Sequence, residues 1–204
     1  MIIKNVIDDR DFIISITRQA AEDNGNHRNS KNYLSFEKRL PNYLVFNVVF
    51  FNDKVAAFGG IYHDPSWPDN LVRVADRMFT FPEFRLKGNV FPSLKETEEY
   101  HSNNINTQSK GGFCSQVLFP HQTKLARDMG KIPFLSIQDL TRRRGVKKWL
   151  NTRIDPKLGY KLLPKLYFTC GGNIHNGKRC WQNILASEDI NLPSIELEMY
   201  KDLK

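Results

Sequence analysis

Two runs, "YLVFNVVFF" from Tyr43 and "VAAFGGIYH" from Val55, are dense in β-branched and aromatic residues and are separated only by "NDK". Runs of this kind across so short a polar connection predict an antiparallel hairpin. Gly59 and Gly60, inside the second run, predict a bulge or a point where another backbone or a ligand comes close. After "DPSWPDN", punctuated by Pro65 and Pro68, the run "LVRVADRMFTF" from Leu71 to Phe81 supplies a third strand of the same meander.

The flanking segments alternate between strand and helix patterns. "MIIKNV" reads as an opening strand. Asp8, Asp9 and Asp11 then suit the positive end of a helix whose apolar face is Phe12, Ile13, Ile16 and Ala20. Tyr33, Phe36, Glu37 and Leu40 predict a second helix ended by Pro41. Beyond the meander, "KETEEY" has a helical pattern and "HSNNINTQSKGG" a loop composition, while "FCSQVLF" reads as a compact apolar strand. "PHQTKLARDMG" fits a capped helix closed by Gly130, and "IPFLSI", "KLYFTC" and "RCWQNILA" read as further strands. The order predicts a mixed α/β (α+β) fold: a mostly antiparallel central sheet flanked by helices, with a helix crossing over after the third meander strand.

The chain has 204 residues, enough for one sizeable core, and a single domain over 1–204 is expected. It shows no secretory leader pattern and no apolar run approaching the roughly 20 residues of a membrane span. A cytoplasmic protein without membrane partners is the expectation. The three cysteines, Cys114, Cys170 and Cys180, are too few and too scattered for a disulfide framework. Cys170, His175 and Cys180 lack a close Cys-x-x-Cys pair and a clear fourth ligand, so no metal site is assigned. The formal charge of +8 favours anionic partners. Part of it is concentrated in "TRRRGVKKWLNTR", where Arg142, Arg143, Arg144, Lys147 and Lys148 would form either a solvated helix face or a nucleic-acid contact.

The element order, together with "RMFTFPEFRLKG", resembles the GCN5-related N-acetyltransferase (GNAT) superfamily. The resemblance runs over roughly residues 2–137 and leaves 138–204 unmatched. It implies an acyl-CoA-dependent N-acyltransferase, with acetyl-CoA or another acyl-CoA as co-substrate and a small-molecule or protein amine as acceptor. By the same resemblance Met78, Phe79, Thr80 and Phe81 would pair with the pantetheine arm. Arg85, Leu86, Lys87, Gly88, Asn89 and Val90 would form the diphosphate loop, where backbone amides at an open helix start meet the anion. Val90 stands where the family has a second glycine or alanine and Pro92 follows, so a shifted helix start is expected. Two rival functions share the fold: a DNA base-modifying enzyme resembling the phage Mom type, and a non-catalytic binding module.

An amine acceptor must lose a proton, so a base is sought near the third meander strand. By the two-residue period Val72, Val74, Asp76, Met78 and Thr80 share one face, and Asp76 interrupts an apolar series. Asp76 is the first candidate base, with a salt bridge to Arg73 or Arg77 as the competing reading. Tyr62 and His63, at the end of the preceding strand, are the second candidates. The resemblance also implies a tyrosine acid about four residues before the glycine that closes the short helix. Counted from Gly130 that position is Ala126, with His121 as a substitute.

Overall fold

In the computed structural model the described residues are 1–23, 37–84, 113–138, 150, 154–167, 174–175, 178–179, 182–192 and 197–199. They belong to two units, Met1–His63 with Val74–Leu125, and Asp64–Arg73 with Ala126–Lys204.

The first unit is built on the predicted hairpin. Strand β2 (Tyr43–Phe51) and strand β3 (Lys54–Tyr62) pair antiparallel, with Phe51 opposite Lys54 and Tyr43 opposite Tyr62. Asn52 and Asp53 turn the chain with φ of 49° and 59°, the left-handed pair that a two-residue hairpin needs and that Asn and Asp adopt readily. Strand β1 (Ile2–Asn5) adds antiparallel to β2, and strand β4 (Leu71–Thr80) lies beside β3.

Helix α1 (Arg10–Asp23) starts where the carboxylates predicted it. Asp9 caps it by accepting from the Phe12 amide at 3.0 Å. Ile13, Ile16 and Ala20 are buried along its apolar stripe, and Phe12 stacks on Phe50 of β2 with ring centroids 6.3 Å apart. Removing a side chain such as Ile13 completely from water stabilises the fold by about 2–3 kcal/mol.

The segment "FCSQVLF" is helical, not a strand. A π-helical turn, Cys114–Leu118, runs directly into helix α2 (Phe119–Asp128), and the Phe119 amide bonds the Cys114 carbonyl. Phe113 and Val117, and Cys114 and Leu118, are buried at the i, i+4 spacing of one helical face. A seven-residue apolar run does not separate a buried strand from a buried helix by pattern. Pro120 rationalises the widened turn, since proline gives no amide to the preceding turn and its ring crowds the carbonyl there. The expected short helix is therefore the second half of a longer helical segment. Gly130, with φ of 71°, closes it: its amide bonds Arg127 O at 2.8 Å and the Lys131 amide bonds Ala126 O at 2.9 Å.

The second unit places strands in the order β4-β5-β9-β6-β10. Its first member is the opening of β4, whose Leu71–Arg73 pairs parallel with Ile132–Phe134 of β5 (Ile132–Gln138). Strands β6 (Lys161–Tyr167), β9 (Gln182–Ala186) and β10 (Leu197–Met199) continue it with antiparallel pairings. Strands β7 (Ile174–His175) and β8 (Lys178–Arg179) form a separate antiparallel pair. Because β4 and β5 are parallel, the chain between them must cross over, and α2 lies in that crossover.

Candidate active site

The site is organised by an irregularity in β4. Ala75 and Arg77 both have positive φ, 57° and 54°, conformations that cost a side-chain-bearing residue free energy and need support from the surroundings. Gln122 of α2 gives that support. It is completely buried. Its Oε1 accepts from the Ala75 amide at 2.9 Å, and its Nε2 donates to the Gly59 carbonyl at 2.7 Å and to Asn47 Oδ1 at 3.3 Å. One side chain thus ties the bulged strand to β3 and β2.

The irregularity breaks the two-residue period. Tyr43 packs edge-on against Phe46, which stacks on Phe58, which in turn stacks on Phe79. Asp76, bonded by Tyr43, belongs to that side of the sheet. Thr80, next to Phe79, faces the other way and donates to the thiol sulfur of Cys114 at 2.9 Å. Asp76 and Thr80 therefore do not share a face as strict alternation predicts. The left-handed residue at Arg77 is the physical reason.

Asp76 is buried. The sequence offered Arg73 or Arg77 as its ionic partner; the structure supplies Arg39, whose Nη2 lies 3.2 Å from Asp76 Oδ2. The Tyr43 hydroxyl donates to the same oxygen. The Arg39 guanidinium also lies over the Tyr62 ring, 4.0 Å from its centroid, and Tyr62 packs edge-on against Tyr43 at 5.3 Å. Burial alone would lower the pKa of Arg39. The Asp76 carboxylate, then Tyr43 and Tyr62, more than offset that and raise it, so the guanidinium stays charged.

Two of the three sequence candidates, Asp76 and Tyr62, are thus brought together, and Arg39 and Tyr43 are added to them. His63 is half-buried at the end of β3, its amide bonded to the Asn42 carbonyl at 3.0 Å. Gly59 and Gly60 are points of close approach, the second reading the sequence allowed. A β-carbon on Gly59 would meet the Met78 backbone at 3.3 Å, and one on Gly60 would fall 2.4 Å from the Tyr43 ring. The recorded irregularities between β2 and β3 lie at Tyr43/Val45 and Val49/Phe50 instead.

Of the residues expected on the pantetheine arm, Met78 and Phe79 are half-buried, while Thr80 and Phe81 are buried. The Phe81 amide is committed to Ala56 O at 3.0 Å. The lead-in Pro82–Phe84 forms a short 3-10 turn, with Phe84 packed on Phe51 and Phe113. The loop residues Arg85, Leu86, Lys87, Gly88, Asn89 and Val90 lie outside the described residues, as do Cys170, Cys180 and the basic residues Arg142, Arg143, Arg144, Lys147 and Lys148. Among the described residues, no helix is long and apolar enough to cross a membrane.

The tyrosine count from Gly130 loses its basis, because α2 precedes the fifth strand and does not follow it. The glycine turn after β5 among the described residues is at Gly159, with φ of 74°, at the end of the 3-10 turn Pro156–Leu158 that leads toward β6. Four residues before it stands Asp155, exposed, its carboxylate accepting from the Lys157 amide at 2.9 Å. His121, on α2, has its pKa lowered by burial and then by Lys124. It is neutral at pH 7.

No family model and no curated protein matches the sequence. Among solved structures the chain is similar to an aminoglycoside 6'-N-acetyltransferase from Enterococcus faecium, at 13% identity and a TM-score of 0.52, over 95% of this chain and all of that one. An aminoglycoside 6'-N-acetyltransferase complexed with coenzyme A is similar at 15% identity and a TM-score of 0.51, over 95% of this chain and 100% of that one. A protein described as a GNAT-family acetyltransferase from Desulfovibrio desulfuricans is similar at 9% identity and a TM-score of 0.52, over 91% and 96% of the two chains. The fold is that of the GCN5-related N-acetyltransferases, a mixed sheet with flanking helices.

Proposed function

We propose that this protein transfers an acyl group from an acyl-CoA, most simply acetyl-CoA, to an amine by direct attack in a ternary complex. The observation that carries the reading is a buried carboxylate, Asp76, set by a supported backbone irregularity among Arg39, Tyr43 and Tyr62. It stands in a fold shared with acetyltransferases, one of them complexed with coenzyme A.

When bound, the acyl thioester supplies the electrophilic carbonyl. Asp76 takes the proton that the amine loses as its nitrogen bonds to that carbon, directly or through the Tyr43 hydroxyl. The carbon–sulfur bond breaks, and the thiolate takes its proton from water; Asp155, exposed and engaged as a cap, is not assigned that task. An amide at the end of β4 would polarise the carbonyl oxygen as charge develops on it.

By the family resemblance, Arg85, Lys87 and Gly88 are the residues proposed to hold the diphosphate.

Calorimetric titration with acetyl-CoA tests the reading. Binding is expected, and Arg85→Glu should weaken it by about tenfold or more, through loss of a charge-assisted contact. No heat at high acetyl-CoA concentration overturns the acyltransferase reading.

A further inference from the structure

We infer that the acceptor carries a carboxylate within a few bonds of the amine it offers, and that Arg39 is the group that recognises it. The inference rests on the acyltransferase reading above and on the placement of the acceptor at Asp76.

Arg39 is more than a counter-ion. Among the described residues its contact with Asp76 uses one terminal nitrogen, at 3.2 Å. A guanidinium has five N–H donors in one plane, so one such contact does not exhaust it. Its central carbon lies 4.0 Å from the centroid of the Tyr62 ring, a cation–π contact that holds the group in place. The Arg39 side chain is 24% exposed and that of Asp76 8%, so the cation is the part of the pair that solvent reaches. Glu37, two residues earlier, is engaged by Arg18 at 3.1 Å. A planar, permanently charged fork held beside an aromatic ring is preorganised for contact with a carboxylate.

The same charge works against the other acceptor class. Asp76 is already offset by Arg39, so a polycationic amine would find no net negative charge in the cluster and would bring its extra charges close to a guanidinium. The whole chain, at +8, adds to that repulsion. An amino-carboxylate instead places its anion on Arg39 and its amine toward Asp76.

Matched acceptors test this: phenylalanine against phenethylamine, methionine against 3-(methylthio)propylamine, and spermidine as the polycation. Each is incubated with acetyl-CoA and the full-length protein, and products are followed by mass spectrometry with kcat and KM determined separately. The carboxylate members should be preferred by about tenfold to a hundredfold in kcat/KM, with most of the difference in KM. Arg39→Gln should bring the ratio within each pair toward one. Arg39→Lys, which keeps the charge and the fold but loses the planar fork, should retain part of it. Thermal melts of both variants confirm that they are folded. Equal or better use of the plain amines or spermidine, no use of any carboxylate member, or an unchanged ratio in Arg39→Gln each overturns the inference. Where acetyl-CoA binds in the same preparation, the acyltransferase reading survives that outcome. Where it does not bind, both readings fall.

Discussion

Gln122 makes the strongest structural prediction, because three polar groups on three strands depend on it. Gln122→Met keeps the length and approximate volume of the side chain but removes its acceptor and both donors. The Ala75 amide loses its partner at 2.9 Å, and the Gly59 carbonyl and Asn47 Oδ1 lose theirs at 2.7 and 3.3 Å. A buried hydrogen bond contributes about 1 kcal/mol net, and a group left unsatisfied costs about 1–3 kcal/mol. The expected loss is therefore about 3–6 kcal/mol, a large share of the 5–15 kcal/mol typical of a domain. At about 2–4 °C per kcal/mol for a chain of this size, Tm should fall by about 6–24 °C. Calorimetry or circular dichroism measures the shift. Acyl transfer by the folded fraction at low temperature should also fall, because Ala75, next to Asp76, loses the contact that fixes its backbone. A Tm drop under about 2 °C with unchanged turnover would falsify the claim that Gln122 supports the irregularity.

Two further outcomes follow from the same region. Gly60→Ala puts a methyl group 2.4 Å from the Tyr43 ring and 3.1 Å from Val45 O; overpacking of this kind costs about 1–3 kcal/mol, and displaced Tyr43 should also lower kcat, read by melting and steady-state kinetics. His121 has a folded pKa below its ordinary value through burial and then Lys124, so between the two values the unfolded chain holds a proton that the folded chain does not. Its contribution to stability should therefore fall as pH drops below about 7 and level off below the folded pKa. Tm measured across this window should decline less in His121→Gln; an identical slope would show that other groups cause the decline.

Some of this was legible in the sequence because it depends on local chemistry. Alternating apolar runs around Asn52 and Asp53 define the hairpin, and Asp9 ahead of an apolar stripe defines the start of α1. The apolar run from Phe113 to Phe119 was ambiguous, since burial on all sides erases the polar face that distinguishes a helix from a strand. The signal that could have decided it is the i, i+4 spacing of Phe113 with Val117 and of Cys114 with Leu118. Arg39 and Asp76 are 37 residues apart, and no short-range pattern joins a helix-terminal arginine to a strand carboxylate.

The face of Asp76 was misread for a more specific reason. Strict alternation holds only where every residue keeps an extended backbone, and Ala75 and Arg77 do not. Neither is a glycine, so neither announces the break. The signal lies on another element: Gln122 and Thr123, two adjacent polar residues buried completely in α2. Buried polar groups require partners, and a glutamine that both accepts from one strand and donates to another marks a ladder that cannot satisfy itself. The same reasoning separates the two halves of the proposed site. Asp76 is positioned by contacts that the fold needs in any case, so its burial alone would be explained by stability. Arg39 differs in its exposure, since its side chain is 24% exposed and that of Asp76 8%. The acceptor experiment therefore bears most directly on Arg39, because a change in acceptor preference distinguishes recognition from support.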